Sequence, residues 1–240
     1  MPKGKFATLT SWSFSVYSSY IKCPYQICLE KVQRIRITEP ENPAFVKGNR
    51  IHASADACIK AIGKAPKIPD ELKPIKDQLV RFRKLKAKTE QEWAFDKQWN
   101  AVAWNDWDRA WLRIKTDVCA DTTAPPTVEI VDWKTGKQYD DHKQQRSLYA
   151  MGGLQLVQLG ALAGGSKDTT LTAQHVYVDT GLKATESYQM KQLPRLKQEW
   201  NARIEQMMTD TTYTPKPSIS ACKYCKFSAK KGGPCKDGVL

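Results

Sequence analysis

The sequence predicts an α/β fold in which a central mixed sheet is flanked by helices. Helical stretches bracket a middle region of short β-branched and aromatic segments, and one further helical stretch, from His142 to Leu159, separates two groups of strands. The order is helix, β-meander, helix, strand pair, helix, which argues for a mixed sheet rather than a doubly wound parallel one. Hydrophobic residues make up 41% and charged residues 26% of the 240 positions, an ordinary globular composition. That length buries a sizeable core. We read one domain over 1–240, with its core at about 44–210 and cysteine-bearing ends at 8–32 and 211–240.

The elements follow in chain order. A short turn near Thr8 leads into a helix from about Ser15 to Glu30. Glu39-Pro40-Glu41-Asn42-Pro43 is a loop. Ala44 to Ile62 is a helix closed by Gly63 and followed by Pro66 and Pro69. A strongly basic helix runs from about Asp70 to Lys88, with Pro74 in its first turns. Glu92 to Asp96, Ala110 to Cys119 and Val128 to Lys134 are strands. After the helix at His142, Gly160 and Gly164-Gly165 end it. Leu171 to Val178 and Ala184 to Met190 form a hairpin across Asp179-Thr180-Gly181, and Lys191 to Met208 is the last helix. The tail from Thr211 carries Pro215, Pro217 and three cysteines, with little regular structure expected.

The formal charge is +13, from 38 Lys+Arg against 25 Asp+Glu. Such an excess favours a polyanionic partner, because each neutralised phosphate releases counterions. No stretch approaches the ~20 apolar residues that cross a bilayer, and no signal-type apolar block follows Met1-Pro2-Lys3-Gly4-Lys5. The expectation is a soluble, cytoplasmic protein without a membrane partner.

The chemistry concentrates in Leu112-Arg113-Ile114-Lys115-Thr116-Asp117-Val118 and Glu129-Ile130-Val131-Asp132-Trp133-Lys134-Thr135-Gly136-Lys137. Asp132 and Lys134 are two apart on a predicted strand, so they share a face. If the hairpin is centred between Ala124 and Pro125, Asp117 lies opposite Asp132, with Cβ atoms ~5 Å apart. Two carboxylates and an ammonium are what hydrolysis of a phosphodiester needs. The carboxylates bind Mg²⁺ or Mn²⁺, and the lysine orients water or stabilises charge on the phosphate. A bare Asp-x-Lys is more often a surface hairpin with an incidental salt bridge.

The run from Val131 to Lys137, preceded by Asp117, resembles the signature of the RecB-like branch of the PD-(D/E)XK nucleases, the restriction-endonuclease-like fold. Three further pieces fall in that family's order. Gly48-Asn49-Arg50-Ile51-His52 is similar to its glycine-plus-histidine motif, Gln145-Arg146-Ser147-Leu148-Tyr149 to its glutamine–tyrosine motif, and Ser13 to Pro24 to its N-terminal entry. The likeness spans roughly residues 10 to 235. It implies a metal-dependent deoxyribonuclease acting from a DNA end. It assigns the metal to His52, Asp117, Asp132 and the Trp133 carbonyl, makes Lys134 the catalytic lysine, and sets Gln145 and Tyr149 beside the site. Relatives of this size occur in phages, beside recombination or single-strand-annealing proteins, and in CRISPR adaptation. Relatives also carry a glycine shortly before the first aspartate, where this chain has Arg113-Ile114-Lys115-Thr116. The rival is a DNA-binding or scaffold module of the same fold without activity, although such a module usually loses Asp132 or Lys134. Glu92 is a further carboxylate nearby, read as structural.

Seven cysteines in a reducing compartment point away from disulfides. In iron–sulfur members of the family one N-terminal cysteine joins three C-terminal ones around a 4Fe–4S cluster, and Cys23 with Cys222, Cys225 and Cys235 match that layout. Four cysteines equally suit tetrahedral Zn²⁺, or no metal. The Cys225–Cys235 gap, with Gly232-Gly233-Pro234 inside it, is longer than the family's. Cys28 is a substitute ligand by position, while Cys58 and Cys119 read as small buried residues. Two features stay open between a structural and a DNA-contacting role. One is the basic run Lys76, Arg81, Arg83, Lys84, Lys86 and Lys88. The other is the six of eight tryptophans between 93 and 133.

Overall fold

A computed structural model describes residues 5–63 and 66–239. These fall into two compact units, 41–198 on one side and 5–40 with 199–239 on the other.

The larger unit opens with helix α3 (Pro43–Lys60), which follows α1 (Phe14–Lys22) and α2 (Pro24–Ile27) of the terminal unit. Asn42 caps α3 by accepting from the Ala44 amide at 2.9 Å, and Pro43 supplies a preset φ at the first helical position. Ile51, Ala55, Cys58 and Ile59 form its buried face at helical spacing. Together with Leu72, Ile75, Leu79 and Phe82 they cover Val118, Val131, Trp133 and Val176 of the sheet. The expected basic helix is shorter than its charge pattern suggests. It is a 3₁₀ segment over Asp70–Ile75, where Pro74 withholds an amide, followed by α4 (Lys76–Lys84). Lys88 already belongs to a strand.

The sheet holds six strands: β1 (Lys88–Phe95), β2 (Ala101–Val102), β3 (Leu112–Thr123), β4 (Pro126–Lys134), β5 (Thr170–Tyr177) and β6 (Lys183–Gln189). Their order is β2-β1-β3-β4-β5-β6. The β4–β5 pair is parallel and the rest antiparallel, so the sheet is mixed as expected. The parallel step is crossed by α5 (Asp141–Gln158). Gly152 and Gly153 let α5 lie close on the sheet. A Cβ at Gly152 would come within 2.5 Å of Ile114, and one at Gly153 within 2.6 Å of Leu171.

The β3–β4 hairpin pairs Val118 with Val131 and Thr123 with Pro126, which is the register centred between Ala124 and Pro125. The ladder stops at Val118–Val131. Beyond it β3 continues with β1 as far as Phe95–Leu112, while β4 continues with β5 as far as Lys134–Tyr177. The two strands therefore part at Asp117 and Asp132. The sheet is forked there.

In the terminal unit the expected helix from Ser15 breaks at Cys23, whose backbone is extended because Pro24 disfavours a helical residue before it. The chain restarts as α2 and runs into a π-helical turn over Cys28–Val32. Helix α6 (Leu193–Thr209) reaches this unit at Glu199. Trp12 stacks on Trp200 with centroids 5.7 Å apart, and Tyr20 donates to Asp210 at 2.7 Å. The short helix α7 (Ile219–Lys223) carries Cys222. No helix among the described residues is long and apolar enough to cross a membrane.

Candidate active site

The fork in the sheet opens a cleft lined by His52, Glu90, Lys115, Asp117, Asp132, Trp133 and Lys134. Asp117 meets α3 and the end of β4. His52 Nδ1 donates to its Oδ1 at 3.0 Å, and the Trp133 amide donates to its Oδ2 at 2.6 Å. The side chain thus takes a donor that a continued ladder would have used. Trp133, expected to contribute its carbonyl, touches Asp117 through its N–H, and its ring is 2% exposed in the core. The exposed ring of Phe45 stands along the same cleft.

Asp132 and Lys134 share a face, and four side chains close a ring there. Lys134 Nζ donates to Gln145 Oε1 at 2.9 Å, and Gln145 Nε2 donates to the Tyr149 hydroxyl at 2.7 Å. Tyr149 donates to Asp132 Oδ1 at 2.6 Å, and Asp132 Oδ2 returns to Lys134 Nζ at 2.8 Å. The last contact is an ion pair without hydrogen-bond alignment, which leaves Asp132 Oδ2 buried and unsatisfied. Gln145 and Tyr149 are four apart on α5, so one helix face supplies both.

Glu90 is a carboxylate that the sequence did not single out, while Glu92 was read as structural. It stands at φ 50, a left-handed backbone that costs a non-glycine residue on the order of 1–3 kcal/mol and that concentrates at functional sites. The β1–β3 ladder pairs Thr89 with Val118 and Gln91 with Thr116, skipping Glu90 and Asp117 between them. Gln91 Nε2 donates to the Thr89 carbonyl at 2.9 Å across the kink. Among the described residues, His52, Glu90 and Asp117 bring ligand atoms within 4.8 Å of one another. Lys115 Nζ sits 2.8 Å from Glu90. Glu92 is exposed and opposite Lys115. Periodicity alone did not flag Glu90, since its distinguishing feature is a backbone angle.

Burial pushes the Asp117 carboxyl above its usual range, and the neighbouring Asp132 charge adds to this. Burial also opposes ionisation of Asp132, but the Lys134 ammonium outweighs it and holds that carboxyl below its ordinary value. At His52 burial favours the neutral ring, yet the hydrogen bond and charge of Asp117 win and raise its pKa. His175, opposite Asp132 in the β4–β5 register, is driven by burial down to about 3 and stays neutral, accepting from Arg146 at 3.2 Å.

The donor set fits a hard divalent cation. It combines carboxylate oxygens, an imidazole and one buried carboxylate oxygen with no hydrogen bond.

The family model of the PD-(D/E)XK nuclease superfamily matches residues 11–229. The chain belongs to that superfamily. Members of the PD-(D/E)XK superfamily are typically metal-dependent nucleases, and the forked hairpin of this one carries Asp117, Asp132 and Lys134. Among solved structures, the crystal structure of SSO0001 is similar at 13% identity, covering 98% of this chain and 89% of that chain with a TM-score of 0.43. No curated protein matches.

A second constellation lies in the terminal unit. Cys23, Cys222, Cys225 and Cys235 line one small pocket with Tyr25, Leu29 and Phe227. All four are free thiols. The long Cys225–Cys235 gap folds back on itself. Gly232 turns at φ 77, and Gly233 lies where a Cβ would fall 2.3 Å from the Phe227 backbone. The Cys235 amide then donates to the Phe227 carbonyl at 2.9 Å. Burial raises the Cys225 and Cys235 thiols, with neighbouring thiols adding to it. Cys28 does not line the pocket; it is buried, with Gln33 donating to its sulfur. Cys58 and Cys119 are buried as expected, and burial pushes the Cys119 thiol up to about 12.

Three members of the basic run have partners within the protein, although Arg81 and Lys88 stay exposed. Arg81 pairs with Glu129, Arg83 donates to the carbonyls of Ala61 and Gly63, and Lys88 pairs with Asp121.

Proposed function

We propose that this chain is a Mg²⁺- or Mn²⁺-dependent deoxyribonuclease of the RecB-like branch, cutting DNA phosphodiesters from an end as an exonuclease. The observation that carries it is the fork, which gathers His52, Asp117, Asp132 and Lys134 from three elements into one cleft. His52, Asp117, Asp132 and the Trp133 carbonyl would hold the cation, with Glu90 beside them. A cation there neutralises phosphate charge and makes water a better nucleophile. Lys134 presents its ammonium where negative charge builds on the scissile phosphate, acting as a point charge. Gln145 and Tyr149 would hold that ammonium and the Asp132 carboxylate in place through three linked hydrogen bonds, with the Asp132–Lys134 ion pair completing the ring.

The same proposal covers the cysteines. Cys23, Cys222, Cys225 and Cys235 would take a 4Fe–4S cluster, tying the two ends of the chain together as a structural staple of a single nuclease domain. Zn²⁺ is the alternative. Tetrahedral zinc, at about 2.3 Å from each sulfur, draws its thiolates within ~4 Å of one another. The setting we infer is the cytoplasm of a bacterial cell, phage-encoded or not. There the protein acts in DNA recombination or repair beside a recombination or single-strand-annealing partner.

The test is digestion of end-labelled linear DNA and a closed circle with Mg²⁺, Mn²⁺ or EDTA, comparing the wild type with Lys134→Ala. Metal-dependent loss of linear DNA alone, abolished by the substitution, is the expected result. Folded protein that binds DNA but never cuts it would replace the nuclease by a silent DNA-binding module.

A further inference from the structure

The tryptophans between 93 and 133 do not share one role. Trp93, Trp99 and Trp133 are at most 8% exposed and pack in the core, and Trp104 and Trp111 are half-buried. Trp107 is 74% exposed. Leaving so large an apolar surface in water is costly.

The ring is also held in place. The Arg113 guanidinium carbon lies 4.5 Å from its centroid. That guanidinium is pinned by donating from Nε to the Trp104 carbonyl at 3.1 Å and from Nη1 to the Ala110 carbonyl at 3.2 Å. One flank of Trp107 therefore rests on a fixed cation, and its remaining surface is open to solvent.

Its place relative to the cleft follows from strand geometry. Arg113, Lys115 and Asp117 are alternate residues of β3 and share a face. Four strand steps separate Arg113 from Asp117, about 13 Å. Lys115 lies between them and lines the cleft. Glu90 and Glu92 both face Lys115, so the stripe is electrically mixed. That is poor ground for the phosphate-only grip that holds a duplex. It suits recognition through base faces, which a duplex hides and a single strand offers.

We infer that Trp107, backed by Arg113, is a base-stacking platform that selects single-stranded DNA for the cleft. This deepens the nuclease reading and rests on it for the identity of the cleft, but its test is separate. The Lys134→Ala protein in Mg²⁺ is titrated into a fluorescently labelled single strand of about 12 nucleotides, within the usual range of single-strand sites, and into the matching duplex. Adding Trp107→Ala is expected to weaken single-strand binding by roughly five- to a hundred-fold, the worth of one stacked base. Trp107→Phe should keep most of the affinity, and duplex binding should not change. Because the ring is exposed, unfolding temperatures should match, which separates lost stacking from lost structure. Unchanged single-strand affinity, or equal loss on both DNAs, would overturn the platform. Wild-type protein that never cleaves but shows Trp107-dependent binding would remove the nuclease and keep the platform.

Discussion

The forked cleft and the cysteine pocket solve opposite problems of ligand chemistry. The cleft assembles hard donors, two aspartates, a glutamate and a histidine, and already balances their charge with Lys134 and Lys115. The pocket assembles four thiols with apolar neighbours and no ammonium among its lining residues, so burial keeps Cys225 and Cys235 protonated. Carboxylates kept beside ammonium groups stay charged and open to an exchanging hard cation. Thiols with no counter-charge ionise only when something soft and positive arrives. On the proposed reading the cleft would exchange its ion and the pocket would keep one.

The sharpest way to break this comparison is at Lys134 and Asp117. Lys134→Ala and Asp117→Asn should each lower cleavage on the order of 10²–10³-fold in single-turnover assays, with little change in unfolding temperature. Cys222→Ser and Cys235→Ser should do the converse. Bound iron, measured by absorbance and metal analysis, should fall away, and the unfolding temperature should drop on the order of 10 °C, as for a loss of roughly 3 kcal/mol. Cys28→Ala should keep the iron.

Within the cleft, Tyr149→Phe removes the donor to Asp132 Oδ1 and should reduce cleavage about tenfold. Calorimetric titration with Mg²⁺ checks the electrostatics. His52 and Asp117 both have raised pKa values, so each binds its proton at higher pH than an ordinary residue. A cation must displace those protons. Affinity should therefore fall as pH drops through the His52 value, which lies above the ordinary ~6.5, and binding should release protons there. The smallest effect is expected at Glu90. Glu90→Gly relieves the left-handed backbone and should stabilise the metal-free protein by roughly 0.5–1 kcal/mol while weakening Mg²⁺ binding.

Several features were readable without coordinates because they depend on local periodicity. The two-residue spacing of Asp132 and Lys134 fixes a shared face and the four-residue spacing of Gln145 and Tyr149 fixes a shared helix side, whereas the hairpin register was one possibility that the structure adopts. The mixed sheet followed from the order of the elements. The helix break at Cys23 was written in Pro24, although the helical pattern around it concealed it.

Other features depend on where distant segments meet, and no local pattern encodes that. Glu90 enters the cleft through a backbone angle that composition does not predict. The end of the β3–β4 ladder at Val118–Val131 results from two strands following different partners, and it is this parting that opens the cleft. Cys235 reaches Cys225 because Gly233 fits where no Cβ can, and Trp107 stands apart from the buried tryptophans because of the side chain beneath it. The sequence by itself determined which residues could do chemistry and which shared a face. The tertiary structure decided which of them meet, since the balance of burial and charge at Asp117 and Glu90 is set by neighbours far away in the chain.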